Sequence, residues 1–174
     1  MRSYQKIISI SFIYLCFGIS SGRTQSVDYK AQVLFMYNFI KYTNWPVLEN
    51  NFTIVVYGNS PITDELNKLA SLKKTPGGKS ITVIQTQDIN TITGCQMLYV
   101  TEGLSKEMPH IINFIRDKSI LIIGQRDGLV KKGAGINFFT QDDDRLGFTI
   151  SLKNLEARKI KIAGELLRLA ELSD

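Results

Sequence analysis

The feature that constrains this chain most is a short apolar run, Phe52-Thr-Ile-Val-Val-Tyr57, ended by Gly58 and echoed further along. Six such residues can all be buried only if both faces of a strand are covered. Similar β-rich runs follow at Ser80 to Thr86, Met97 to Thr101 and Ser119 to Ile123, the last closed by Gly124. Helix-like stretches lie between them. Ser60-Pro61 is a cap and first-turn pair, and Asp64 and Glu65 suit the positive end of a helix reaching about Leu72. Ser105 caps a second helix expected to run to about Arg116. Strands that alternate with helices in this way predict a largely parallel sheet, helices on both faces.

The two ends of the chain read differently. Residues 27–43 predict a helix with Val27, Ala31, Leu34, Asn38 and Tyr42 along one side and Phe35 and Phe39 widening the stripe. Trp45-Pro46 stops it, because a residue before proline is pushed out of the helical region. Ile136 to Gln141 and Leu146 to Leu152 flank Asp142-Asp143-Asp144-Arg145 and predict a hairpin. A last helix is expected over about Leu155 to Leu172, with Ile162, Leu166, Leu169 and Ala170 on one face. The expected architecture is therefore three-layer α/β/α, with a mixed, mostly parallel sheet that ends in an antiparallel hairpin and a C-terminal helix.

Composition bears on compartment. Arg2 and Lys6 precede a thirteen-residue apolar stretch, Ile7 to Ile19, and small residues Ser20, Ser21 and Gly22 follow. That length fits a signal peptide core and falls short of the roughly 20 residues a membrane span needs. Residues 1–22 are read as a signal peptide and 23–174 as one exported α/β domain. The formal charge of +5 drops by two when Arg2 and Lys6 leave. Lysines and arginines are scattered among acids with no basic stripe, so nucleic acid is not an expected partner. Cys16 leaves with the signal, and Cys95 then has no internal disulfide partner.

Chemistry-bearing motifs mostly resolve into plain structure. Gly78-Lys79-Ser80 resembles the tail of a phosphate loop, but Lys73 stands where the first glycine is required and a strand follows instead of a helix. Gly58-Asn59-Ser60 sits where hydrolases place a nucleophile, yet Ile62 replaces the second glycine of that elbow. His110 is the chain's one histidine, and nothing in the sequence pairs it with Ser60. Three consecutive aspartates at the hairpin tip point different ways and lack EF-hand spacing. No metal site and no cofactor are expected. Gly133-Ala134-Gly135 precedes a strand instead of opening a helix, which suits a sheet-edge entry approached by a backbone or a partner.

Three stretches carry a resemblance. Tyr37-Asn-Phe-Ile-Lys-Tyr-Thr-Asn-Trp-Pro46 is close to a helix-ending pattern YNF-x-KY-x-x-WP. Gly133-Ala-Gly-Ile-Asn-Phe138 is followed by Arg145-Leu-Gly-Phe-Thr-Ile150, and Asn154 to Leu169 is similar to a closing pattern N-x-x-A-x-x-x-x-L-K-I-S-x-x-L-L-x-L-A. In this order the chain, from about Val27 to Leu172, resembles the YfiR/HmsC-like family of bacterial periplasmic proteins. The resemblance implies a regulator with no enzymatic activity. It would bind the periplasmic part of an inner-membrane sensor of diguanylate cyclase or histidine kinase type, keep cyclic-di-GMP output and biofilm formation low, and form a homodimer. Some members carry stabilising disulfides, which Cys95 alone cannot supply. Partner contacts in the family involve apolar surface near the C-terminal half. Lys41, Trp45, Gly133, Gly135, Arg145 and Asn154 are the candidate partner or ligand contacts. Two rival readings remain open. One is a small-molecule sensor with a pocket near Gly58, Glu102 and Gly124, at the carboxyl ends of the strands. The other is a hydrolase using Ser60 or His110.

Overall fold

The structure is a computed structural model that describes residues 27–45 and 51–173. The signal peptide reading of residues 1–22, Cys16 and Pro46 lie outside the described residues. In chain order the elements are α1 (Tyr29–Tyr42), β1 (Thr43–Asn44), β2 (Phe52–Tyr57), α2 (Ile62–Leu72), β3 (Ile81–Thr86), β4 (Met97–Val100), α3 (Met108–Phe114) and β5 (Leu121–Gly124). Then come β6 (Ile136–Thr140), β7 (Leu146–Ser151), α4 (Leu152–Glu156), β8 (Lys161–Ile162), α5 (Gly164–Leu167) and β9 (Glu171–Ser173). Seven strands form one sheet in the order β3-β2-β4-β5-β6-β7-β9, while β1 and β8 form a separate antiparallel pair.

Pairing is parallel from β3 through β6 and turns antiparallel only between β6 and β7. The side-chain period of two then feeds two cores. Ile54, Val56, Met97, Tyr99, Leu121 and Ile123 pack with Val33, Met36, Phe39 and Ile40 of α1 and Ile62 and Leu66 of α2. Their alternates Val55, Tyr57, Leu98, Val100 and Ile122 pack with Met108 and Ile111 of α3 on the other face. This is the three-layer arrangement the apolar strands demand, and the expected mixed sheet and hairpin are present.

Three details differ from expectation. In α1 the buried residues are Gln32, Val33, Met36, Phe39 and Ile40, whereas Leu34 is 64% exposed. The helix is apolar nearly all round, so period alone does not fix its face. The orientation chosen buries Met36, Phe39 and Ile40 together, and Phe39 stands edge-on to Phe148 at 5.1 Å between centroids. Second, Ser105 caps no long helix: it is buried within a 3-10 segment, Glu102–Glu107, and α3 starts only at Met108. Pro109 has no N–H to give and is tolerated only in a first helical turn, so the α-helix restarts there.

The third difference is the C-terminus. A C-terminal helix is present, but the continuous helix expected over 155–172 is divided into α4, β8, α5 and β9. Lys159 takes a left-handed conformation at φ 58°, ending α4. Ile160 then drops into the core at 2% exposure, and Ile162 pairs with Thr43. Finally β9 adds in parallel to β7, with Leu172 beside Ile150. Helical periodicity in this segment was outweighed by strand pairing, of β8 with residues more than a hundred positions away and of β9 with β7, a tertiary term no local pattern contains.

Candidate functional site

Strand order fixes where a ligand can sit. The chain runs from β2 outward to β3, then returns to the other side of β2 as β4, so the winding direction reverses between β2 and β4. In open α/β sheets such a reversal leaves a crevice outside the strands' carboxyl ends. At the reversal itself the crevice is closed. Gly58 adopts φ 109°, Thr101 Oγ1 donates to the Tyr57 carbonyl at 3.0 Å, and a Cβ on Gly58 would collide with that hydroxyl. Gly124 is likewise covered, with Leu129 where its Cβ would stand.

The open space lies one strand further on. A cleft of about 820 Å³ is bounded by the start of α1 (Asp28, Gln32, Phe35), by Glu102 after β4, by residues 125–127 after β5, and by Arg145 at the hairpin. Of the expected pocket residues Gly58, Glu102 and Gly124, only Glu102 lines it. The amino end of α1 is pinned to the strand ends. Tyr99 Oη donates to Gln32 Oε1 at 2.7 Å, both residues buried, and burial raises the Tyr99 phenol well above its ordinary pKa. Gln125 accepts from the Glu102 N–H at 3.0 Å and donates to Tyr29 Oη at 3.4 Å. Asn137, fully buried in β6, accepts from the Val130 N–H at 3.0 Å and donates to Asp127 at 3.3 Å. Asp28 caps α1 by accepting from the Ala31 N–H at 3.0 Å.

The six candidate contacts fall into separate places. Arg145 lines the cleft and is 2.6 Å from Asp143, an exposed pair at the hairpin tip. Desolvation pushes the Asp143 carboxyl up, but hydrogen bonds from Arg145 and its charge outweigh this and hold it below the usual range. Lys41 lies in a different groove with Asn44 and Lys161, its ammonium 5.2 Å from the Tyr42 ring centroid. Trp45 is in the core, edge-on to Phe52 at 5.0 Å, with its indole N–H donated to the Gln96 carbonyl at 3.2 Å. Gly133, Gly135 and Asn154 come together, around the 3-10 turn Val130–Lys132. Gly133 ends that turn at φ 103°, Gly135 lets Leu155 approach, and Asn154 Nδ2 donates to the Val130 and Ala134 carbonyls at 2.7 and 2.8 Å.

Ser60 and His110 are not brought together. Ser60 accepts a long 3.4 Å bond from the Ile62 N–H in a groove lined by residues of α2 and β3, and His110 is not among them. His110 lies 3.8 Å from Glu107 and stands edge-on to Phe114. Sequence reasoning missed Gln32, Gln125 and Asn137, which organise the cleft. The signal was there for two of them: a single polar residue inside an otherwise apolar helix face, and another inside the apolar strand Ile136–Thr140. Among the described residues no group of three or more His, Cys, Asp or Glu converges to hold a metal ion, and no helix is long and apolar enough to cross a membrane.

Comparison with known proteins places this architecture. A family model described as YfiR/HmsC-like matches residues 29–171. A conserved domain protein from Vibrio cholerae O1 biovar El Tor is similar in structure at 12% identity with a TM-score of 0.54, over 84% of this chain and 60% of that one. An ABC domain in complex with L-Trp from Streptococcus pneumonia is similar at 13% identity and TM-score 0.54, over 83% of this chain and 59% of its own. The chain thus spans about three fifths of both solved structures, and at such identities the likeness is one of fold. No curated protein matches.

Proposed function

Because the chain belongs to the YfiR/HmsC-like family, a periplasmic regulatory family, we propose that it is a non-enzymatic periplasmic regulator that binds a membrane signalling protein. In this reading residues 1–22 direct export, and 23–174 form the regulatory domain. The domain grips the periplasmic part of an inner-membrane protein of diguanylate cyclase or histidine kinase type and holds its output low. The observation that carries the reading is the family match over residues 29–171, which takes in both cores and most of the cleft lining. Repression of this kind needs only that the domain bind one conformation of its partner better than the other. A homodimer follows from the same family analogy. The sheet edge at β9, with Leu169 and Leu172 at 67% and 57% exposed, supports an apolar contact surface in the C-terminal half.

The test is deletion of the gene with cyclic-di-GMP measured, together with affinity purification of the protein from solubilised membranes. A rise in cyclic-di-GMP and co-purification of a membrane protein with an output domain are expected. An unchanged level with no membrane protein retained overturns the reading. A second reading, a small-ligand sensor, is favoured by the cleft, whose volume lies within the range of about 300–1,000 Å³ usual for small-molecule sites. The two are compatible, since a ligand that prefers one state of the regulator would release or tighten its hold.

A further inference from the structure

Charge is unevenly spread over the helical layer formed by α1 and α2. Residues 29–44, which hold α1 and β1, and residues 66–87, which hold most of α2 and all of β3, contain six lysines and no aspartate or glutamate. The acids of α2, Asp64 and Glu65, sit in its first turn, and Glu65 holds Lys68 at 2.7 Å. At the other end of α2, Lys73 and Lys74 are exposed, and neither is in an ion pair among the described residues. Their backbone is firmly held. The buried Thr75 donates its N–H to the Lys79 carbonyl at 3.0 Å, and its hydroxyl accepts the Lys79 N–H at 3.1 Å. Tyr37 Oη donates to the Lys74 carbonyl at 3.1 Å and ties this turn to α1. Charges on a backbone already ordered lose less entropy on binding.

A second, independent observation is apolar. Leu72, next to the two lysines, is 80% exposed, and Leu34 on α1 is 64% exposed. Leu34 and Lys41 stand three residues before and four after Tyr37, so they share its side of the helix. A single exposed leucine is ordinary, but two at one basic corner form a patch. Leucine beside lysine suits the boundary of a bilayer. The leucine enters the acyl region while the lysine stems lie alongside and their ammonium groups stay among the phosphates. Tyrosine is a residue type that settles at the headgroup level. A protein partner would need a socket shaped for each leucine, whereas a fluid lipid surface yields to any projecting side chain.

We propose that this corner, with Leu72, Lys73 and Lys74 at its tip, rests on a bilayer surface rich in anionic phospholipid. The proposal takes from the function proposed above only that the exported domain works beside a membrane. Contact of this kind confines the domain near the plane of its membrane partner, which raises the partner's effective concentration without any added contact to it.

The experiment sediments the full chain, purified from the periplasm, with vesicles of mixed phosphatidylethanolamine and phosphatidylglycerol, and separately with vesicles of phosphatidylcholine. Binding to the anionic vesicles only, weakened by salt, is expected. The double variant Lys73→Gln, Lys74→Gln should leave the melting curve unchanged and weaken binding about twentyfold, the combined worth of two lysines at an anionic surface. Leu72→Ser should remove the binding that survives high salt. Lys131→Gln with Lys132→Gln takes away the same charge from an exposed turn packed against α3, on the opposite side of the sheet, and should change binding little. An equal loss in both double variants, equal binding to phosphatidylcholine, or no binding to either vesicle overturns the proposal. Retention on polyglutamate with none on vesicles also overturns it, and gives the corner to an acidic protein segment. None of these results touches the co-purification of a membrane protein, which tests the regulator separately.

Discussion

Replacing Asn154 separates a structural role from a contact role. Its side chain spans two segments, donating to the Val130 carbonyl at 2.7 Å and the Ala134 carbonyl at 2.8 Å. The two acceptors are not equivalent. The Val130 carbonyl also receives the Gly133 N–H at 3.1 Å, so losing Asn154 leaves it with one partner. Ala134 is fully buried, and its carbonyl has no other partner among the described residues. Stranding a buried acceptor costs about 1–3 kcal/mol, and losing a redundant bond about 0.5–1.5. Asn154→Ala should therefore destabilise the protein by about 2–4 kcal/mol, or about 5–12 °C in Tm for a chain of this size. Asn154→Asp should be worse, because a carboxylate can only accept and would face two carbonyl oxygens. Urea titration followed by tryptophan fluorescence, reading the one indole, Trp45, measures both. A loss under about 0.5 kcal/mol for alanine, or an aspartate as stable as asparagine, would refute this account. Asn154 would then be free to serve as a contact.

Other expectations follow from the same geometry. Burial pushes the Cys95 thiol up to about 12, and its Sγ–H is held by the Ile92 carbonyl at 3.1 Å. Thiol reagents at pH 8 should react with it only after unfolding. Because the folded state keeps the proton more tightly than the unfolded one, this group makes stability fall as pH rises from about 9 toward about 12, which urea titrations across that range would read. Gly58→Ala combines a strained φ of 109° with a collision at Thr101 Oγ1, and should lower stability by about 2–4 kcal/mol in thermal denaturation. Tyr99→Phe strips Gln32 of its donor and should cost about 1–2 kcal/mol; a Gln32→Leu background should remove most of that penalty in a double-mutant cycle.

Legibility followed the range of the interactions involved. The apolar runs at 52–57, 97–101 and 119–123 announced a sheet covered on both faces, because no other placement hides every side chain of a strand. The hairpin was equally plain, its second arm alternating from Leu146 to Leu152. The family, too, was carried by the spacing of three linear motifs. Tertiary structure alone decided the rest. The C-terminal segment reads as helix locally, but Thr43 pairs with Ile162 and Thr149 with Glu171, and those partners come from elsewhere in the chain. The face of α1 was settled by the shape of the sheet it meets.

The candidate residues divide in the same way. Trp45, Gly133, Gly135 and Asn154 stand out in the sequence because the fold depends on them, as a packed indole, two close approaches and a clasp between loops. Arg145, by contrast, reaches the cleft through the hairpin that carries it. Gln32, Glu102 and Gln125 lie on three different elements and share no linear pattern; Glu102 and Gln125 follow the adjacent parallel strands β4 and β5, and α1 brings Gln32 against Tyr99 of β4. Sequence by itself determined the layers, since burial is a property each segment carries. Only the assembled sheet decided where the cleft lies, because a cleft is made of distances between segments.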